Sequence, residues 1–296
     1  MLPAFNAAKT VRRAIDSVVS QTFRDLELIV IDDGSSDSTR AIASEYERDE
    51  RVSVLTQQNS GPAAARNNGV RHSTGNLIAF LDADDFWHVR KLEQQVAAFE
   101  KATDLALCWT HRLWLRSDEL DQASAVTIPE GITPARDVSF EEIFVRPYLG
   151  TPGVMMPRKL FEQLGGFRSD LHSAEDVDLW LRAAFGRRTA CVELPLFFIV
   201  SSPGSVTARR MDGTYRDNLR VIDDFCASHP DFATSASHVV ARARARVLED
   251  LGSALLVKRQ MKEARECLVH SLSNRFSWRA AYLLAKTLLP ARAVRA

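Results

Sequence analysis

Acidic residues crowd three places in this chain, and their spacing suits the handling of a cation and a phosphate. Asp82, Asp84 and Asp85 fall directly after the apolar run Leu77-Ile78-Ala79-Phe80-Leu81. Asp32 and Asp33 end a second apolar run, Leu28-Ile29-Val30-Ile31, and Glu175-Asp176-Val177-Asp178 opens an amphipathic stretch. Carboxylates this close repel one another unless water, a cation or basic groups offset them. A hard divalent ion held by oxygens is the natural partner, and it attracts phosphates in turn. A carboxylate also accepts hydrogen bonds from a nucleobase N–H or a ribose hydroxyl. Arg66 has the charge to meet a phosphate, and Asp176 could take a proton from a hydroxyl nucleophile. Each feature has a plainer reading: a solvated acidic turn, a helix cap, a surface arginine.

The elements that must position these groups follow from the apolar pattern. Five apolar residues before Asp82 suit a strand buried on both faces of a parallel sheet. Ligand sites in open α/β sheets lie outside the carboxyl ends of the strands, so Asp33 and the Asp82 cluster face one rim. Val11, Ala14, Ile15, Val18 and Val19 keep one face of a helix. A strand over 26–31 follows, then a helix from the capping run Ser35–Thr39 to about Asp49. Val52–Leu55 is a short strand, and Pro62 begins a helix to Val70. After the acidic turn comes a helix over 88–101. Strands alternating with helices predict an α/β fold with a doubly wound, mainly parallel sheet. The opening strand is missing from this pattern, with only Leu2 available as its last residue.

The middle is less regular. One or two strands are expected over 105–115, a loop over 116–138, a capped helix at Ser139, a strand over 153–156 and helices from Arg158 and from Glu175. From about Met211 the pattern is helical, which predicts two domains, 1–210 and an all-helical extension over 211–296. Ala254, Leu255, Ala264, Cys267 and Leu268, with a break near Arg259, suggest one helical hairpin of the tetratricopeptide kind, too little for a repeat array. The 296 residues carry 38 basic and 38 acidic side chains, yet from residue 236 onward 12 Lys and Arg face 4 Asp and Glu. Residues 275–296 combine Arg275, Arg279, Lys286, Arg292 and Arg295 with Trp278, Tyr282 and four leucines. Such a segment suits either an interfacial helix on anionic lipid or packing on the catalytic domain. No motif supports nucleic-acid binding. Cys108, Cys191, Cys226 and Cys267 are widely spaced, which argues against a zinc site or a disulfide framework. No apolar run approaches the ~18–20 residues that span a bilayer, and no signal peptide is evident. A cytoplasmic location is expected, with peripheral contact at the inner face of the membrane.

Pro3-Ala4-Phe5-Asn6, Gln21-Thr22-Phe23, Ile31-Asp32-Asp33-Gly34-Ser35-Ser36-Asp37, Ala65-Arg66-Asn67-Asn68-Gly69, Phe80-Leu81-Asp82-Ala83-Asp84-Asp85 and Glu175-Asp176-Val177-Asp178-Leu179 resemble, in order, the motifs of the family 2 glycosyltransferases of GT-A fold. The resemblance covers residues 1 to about 207. It implies transfer of a sugar from a nucleotide-sugar, usually UDP-linked, to an acceptor hydroxyl with inversion. It assigns Pro3, Ala4, Phe5, Asn6 and Asp33 to the base and ribose, and Arg66, Asp82 and Ala83 to the nucleotide-sugar. Asp82 and Asp84 become the acids of the D-x-D motif, with Asp84 toward a Mg²⁺ or Mn²⁺ on the diphosphate, and Asp176 the general base. The acceptor would be a glycan or lipid-linked glycan of the cell envelope.

Two departures stand out. The family opens with a full apolar strand, and its loss should leave ladder groups and apolar surface unpaired, at several kcal/mol; a natural start upstream, or a truncation, is the expectation. Ser202 stands where the family often has a histidine that completes the metal site. These departures favour the alternative of a catalytically impaired nucleotide-sugar-binding or scaffolding protein on the same fold. A nucleotidyltransferase would want a glycine- and lysine-rich loop that Ala7-Ala8-Lys9-Thr10 does not supply.

Overall fold

The computed structural model describes residues 1–146, 149–171, 173–201 and 211–288. Its elements, in chain order, are β1 (Leu2–Ala4), α1 (Val11–Val19), β2 (Leu28–Asp32), α2 (Thr39–Ser44), β3 (Val52–Thr56), α3 (Gly61–Arg71), β4 (Leu77–Ala79), β5 (Phe86–Trp87), α4 (Lys91–Lys101), β6 (Leu105–Arg116), β7 (Arg136–Val138), α5 (Phe140–Val145), β8 (Met155–Pro157), α6 (Arg158–Gln163), α7 (Glu175–Ala184), β9 (Arg188–Ser201), α8 (Met211–Ser228), α9 (Pro230–Ser235), α10 (Ser237–Val257), α11 (Met261–Asn274) and α12 (Trp278–Lys286). They divide into two compact units. The first takes Met1–Phe140, Tyr148–Ser169 and Arg182–Pro203; the second takes Glu141–Pro147, Asp170–Leu181 and Gly204–Ala296.

In the first unit β1, β2 and β3 run parallel, with Leu2 opposite Val30 and Leu28 opposite Val52. The expected absence of the first strand is corrected here: three residues are enough to form it. They pair because Leu2 and Ala4 are buried between β2 and α1, where an unpaired backbone would be costly. Met1 extends the ladder to the other side, its amine donating to the Ala79 carbonyl and its own carbonyl accepting from Leu81 N–H. That is a parallel pattern, so the strand order reads β3-β2-β1-β4. Behind Met1, at the amino ends of β2 and β4, a cavity of about 540 Å³ is lined by Leu26, Leu28, Leu77, Ile78, Leu92 and Val96 among others. Apolar surface is open there, as a short β1 implies.

Beyond β4 the sheet is mixed. β8 is antiparallel to β4 and β6, β9 is parallel to β6, and β5 and β7 are antiparallel to β9. Strand β4 stops at Ala79, and Phe80 turns into a cluster with Phe161 and Phe167. α2 ends at Ser44 rather than Asp49, and the nominal loop over 116–138 contains a 3₁₀ turn at Leu120–Ala125 as well as β7. Lys91 opens α4 fully buried. Its Nζ lies 3.9 Å from the Trp87 ring centroid and has no hydrogen-bond partner among the described residues. Burial pulls its pKa down to about 7.

In the second unit α10 and α11 form the expected hairpin. Arg259 makes the turn at φ +60, and Leu255, Ala264, Leu268 and Ala280 build its core. Gly252 is required by close packing, since a Cβ there would sit 2.7 Å from Leu268. Phe144, Phe225 and Phe232 form a separate aromatic cluster. All four cysteines are free thiols.

Candidate active site

The carboxyl ends of β1, β2 and β4 carry the groups singled out in the first unit. After β1 the chain turns at Asn6 with φ +49, a left-handed conformation that asparagine tolerates. Asn6 Oδ1 accepts from Ser36 N–H and Ser36 Oγ–H, and Asn6 N–H donates to Ser35 Oγ. Ala7 N–H donates to Thr39 Oγ1 and Ala8 N–H to Asp37. The loops after β1 and β2 are therefore sewn together. Pro3 and Ala4 lie in the strand beneath them, and Phe5 stands 51% exposed above.

Asp33 is buried and bonded to three donors. Its Oδ1 accepts from Gln57 Nε2 (2.8 Å) and Ser60 N–H (2.9 Å), and its Oδ2 from Gly61 N–H (2.9 Å). Two of those are the free amides at the start of α3, where a negative charge also meets the positive end of the helix dipole. Gln57 in turn accepts from Asn68 Nδ2. The arrangement combines the plain and the chemical readings: Asp33 caps the helix that carries Arg66. A carboxylate offers about four acceptor positions, so one remains.

Arg66 is buried, and its guanidinium donates to Asp82 Oδ1 at 2.6 Å while lying 5.4 Å from the Phe167 ring centroid. The surface-arginine reading is thereby excluded. Asn67 fixes the same helix by exchanging two hydrogen bonds with the Phe167 backbone. Ala83 is buried below the turn. Asp84 stands exposed at the rim, where low-polarity surroundings first and the Asp82 charge second push its carboxyl above the usual range; solvent tempers that rise. Asp85 is buried, and desolvation followed by the Asp82 and Asp84 charges lifts it to about 9, against a hydrogen bond from Val200 N–H. Arg13 reaches in from α1, donating to the Asp84 carbonyl and lying over the Phe86 ring.

The crowding supplies the test of fit for a cation. Carboxyls raised first by burial and then by one another's charge leave negative charge in want of a counter-ion. Among the described residues no three acidic, histidine or cysteine side chains form a ready-made ligand group. Asp82 and Asp84 fit an ion of the Mg²⁺ or Mn²⁺ kind, which is commonly held by one or two carboxylates and completed by phosphate oxygens and water. Ser202 lies outside the described residues.

Asp176 belongs to the second unit, in the first turn of α7. It is half-buried, and its Oδ1 accepts from Val177 N–H at 2.7 Å. Ala174, just ahead of the helix, is buried with φ +63. A non-glycine residue in that region is strained by roughly 1–2 kcal/mol. Sequence reasoning passed over Gln57, Asn68 and Arg13 as site residues. Gln57 and Asn68 reach Asp33 only through contacts between distant parts of the chain. Arg13 falls on the polar face of α1, with no local signal to mark it.

This architecture is that of a GT-A glycosyltransferase. S. aureus TarS superposes with a TM-score of 0.66 at 19% identity, over 96% of this chain and 50% of that one. The mannosyltransferase PcManGT from Pyrobaculum calidifontis, in complex with GDP-Man and Mn²⁺, superposes with 0.65 at 20% identity, over 97% and 78%. The family model for glycosyl transferase family 2 matches residues 1–165, and the chain belongs to that family. The putative teichuronic acid biosynthesis glycosyltransferase TuaG of Bacillus subtilis is 31% identical over 182 residues, 60% of this chain and 68% of that protein. The E. coli β-1,3-glucosyltransferase WfgD is 42% identical over 102 residues, 34% and 40% respectively. An uncharacterized glycosyltransferase of Rickettsia felis is 29% identical over 207 residues, 70% of this chain, which spans a third (33%) of that relative.

Proposed function

We propose that this chain is an inverting glycosyltransferase that moves a sugar from a UDP-linked donor to an acceptor hydroxyl during synthesis of a cell-surface or secreted glycan. The observation that carries the reading is the acid-lined rim of the first unit, where Asp82 and Asp84 stand beside Arg66 on a helix held by Asp33. Its context is a family whose members include proteins named for teichuronic acid synthesis and for a UDP-Glc donor. TarS has been solved with UDP and with UDP-GlcNAc, which favours the same donor class.

In this reading the loop Pro3-Ala4-Phe5-Asn6 receives the nucleoside, with exposed Phe5 offering a ring face to the base. The remaining acceptor position of Asp33 and one oxygen of Asp82 take base N–H or ribose hydroxyl protons. Ala83, having only a methyl group, lets the sugar-diphosphate approach the turn. Arg66 neutralises Asp82 and keeps it oriented. A Mg²⁺ or Mn²⁺ at Asp84, when bound, would offset charge on the leaving diphosphate. Asp176 accepts the proton of the acceptor hydroxyl as its oxygen forms a bond to the anomeric carbon and the bond to the nucleoside diphosphate breaks. Attack opposite the leaving group inverts the configuration. Residues 1–210 are the catalytic part and 211–296 the extension. A glycan or lipid-linked glycan is the acceptor, with the reaction on the cytoplasmic side.

A second reading, a nucleotide-sugar-binding scaffold, is favoured by the Arg66–Asp82 pair, which occupies one acid of the D-x-D motif. A panel of nucleotide-sugars with Mn²⁺, scored by nucleotide release, separates them. Release with one donor, stimulated by a glycan acceptor, is the expected result. Tight nucleotide binding with no release from any donor would establish the scaffold.

A further inference from the structure

The second unit presents an aromatic face that the chemistry above does not use. On and beside α12, Phe276, Trp278, Tyr282 and Leu288 are 60%, 80%, 60% and 67% exposed. Trp278, Tyr282 and Ala285 follow one another at helical spacing and share one side. Phe276 packs edge-on against Trp278, with ring centroids 5.0 Å apart, so the two rings form one patch. The opposite side of α12 is anchored: Ala280 is in the core, and Ser277 accepts its N–H as a cap. The face is thus held outward by a helix fixed from behind.

Charge decides what the face suits. Glu249 and Asp250 are both engaged by Arg279 of α12. Lys286 Nζ lies 4.7 Å from the Tyr282 ring centroid, at the edge of the patch. Arg275 is exposed beside Phe276 and has no ion pair among the described residues. The patch therefore combines rings with the flanking cations Arg275 and Lys286. A symmetric contact with a second copy would set these cations against their own kind, which is unfavourable. Tryptophan and tyrosine with flanking lysine and arginine match the interface of an anionic bilayer, where rings sit at headgroup level. No described helix is long and apolar enough to cross a membrane, so the contact would lie on the surface.

We infer that Phe276, Trp278 and Tyr282, flanked by Arg275 and Lys286, dock the second unit on an anionic lipid surface. The inference stands on this unit alone and survives or fails independently of the proposed transfer reaction. The full chain is floated with phosphatidylcholine vesicles, with and without about 30% phosphatidylglycerol. The wild type should float with the anionic vesicles only, and raised salt should weaken it. The double variant Trp278→Ala/Tyr282→Ala, and separately Arg275→Glu/Lys286→Glu, should each lower the bound fraction about tenfold or more, equivalent to 1.4 kcal/mol. All these side chains except Lys286 are exposed, and unchanged thermal unfolding confirms the fold of each variant. Failure of the wild type to float, or equal flotation of the folded variants, would overturn the inference. So would a dimer in light scattering that the aromatic double variant dissociates, since the face would then belong to a second copy.

Discussion

Replacing Asp33 measures how much of the site depends on one buried carboxylate. Its side chain accepts three hydrogen bonds, from Gln57 Nε2, Ser60 N–H and Gly61 N–H. Each such bond contributes about 1 kcal/mol net, with charge-assisted bonds higher. Ser60 is exposed, so water recovers part of its loss. Asp33→Ala should therefore destabilise the chain by about 3 kcal/mol. For a domain of 150–250 residues that corresponds to a melting point about 6–12 °C lower. Asp33→Asn keeps an acceptor at Oδ1 but turns an amide nitrogen toward one of the donors, and should cost about half as much. Denaturant unfolding followed by circular dichroism reads both. A change below about 1 kcal/mol for the alanine variant would refute the capping role and return Asp33 to a purely ligand-facing position.

Three further outcomes follow from single residues. Lys91→Met removes a buried amine without a hydrogen-bond partner. Because its folded pKa is lowered to about 7, the unfolded chain holds the extra proton between roughly pH 7 and 10. Wild-type stability should rise with pH across that window, and the variant should be the more stable at pH 6, by a margin that narrows by a few kcal/mol toward pH 10 in urea titrations. Gly166→Ala places a methyl group 2.5 Å from Asn67 Oδ1 at a residue of φ +71. It should break the Asn67–Phe167 clamp and destabilise by about 2 kcal/mol or more, with loss of amide-exchange protection at Phe167 as the local check. Asp85, lifted to about 9 beside the Asp82 and Asp84 charges, should make Mn²⁺ binding at this turn proton-linked. Affinity should fall by up to tenfold per pH unit on going from pH 8 to 6, and calorimetry in two buffers should show proton release; pH-independent binding would place the ion elsewhere.

The first half of the fold was legible because its signals are local. Apolar runs that end in Asp33 and in Asp82 mark the carboxyl rim, and one-sided apolar helices between them imply parallel crossovers. The second half was not, since β8 and β5 are two or three mostly apolar residues that read alike whether they pair parallel or antiparallel, and β7, Arg136-Asp137-Val138, has no apolar pattern. β1 escaped notice because three residues carry no periodicity; its existence depends on the two neighbours that bury it. At the site, the acids and Arg66 were evident from type and position. Their partners were not: Arg13 meets the Asp84 carbonyl across 71 positions, and Gln57 meets Asp33 across 24. Lys91 shows the converse, a charged residue that a surface pattern assigns to solvent and the packing of Trp87 takes inside.

The central claim is that the acid-lined rim binds a nucleotide-sugar and that Asp176 activates the acceptor. Nucleotide release by wild type and Asp176→Asn, measured beside UDP affinity in the same preparations with Mn²⁺, tests it most directly. Loss of a general base is expected to lower release by 10²–10⁴-fold, with UDP affinity unchanged. Equal release by the two proteins, or loss of UDP binding together with release in a folded variant, would contradict it.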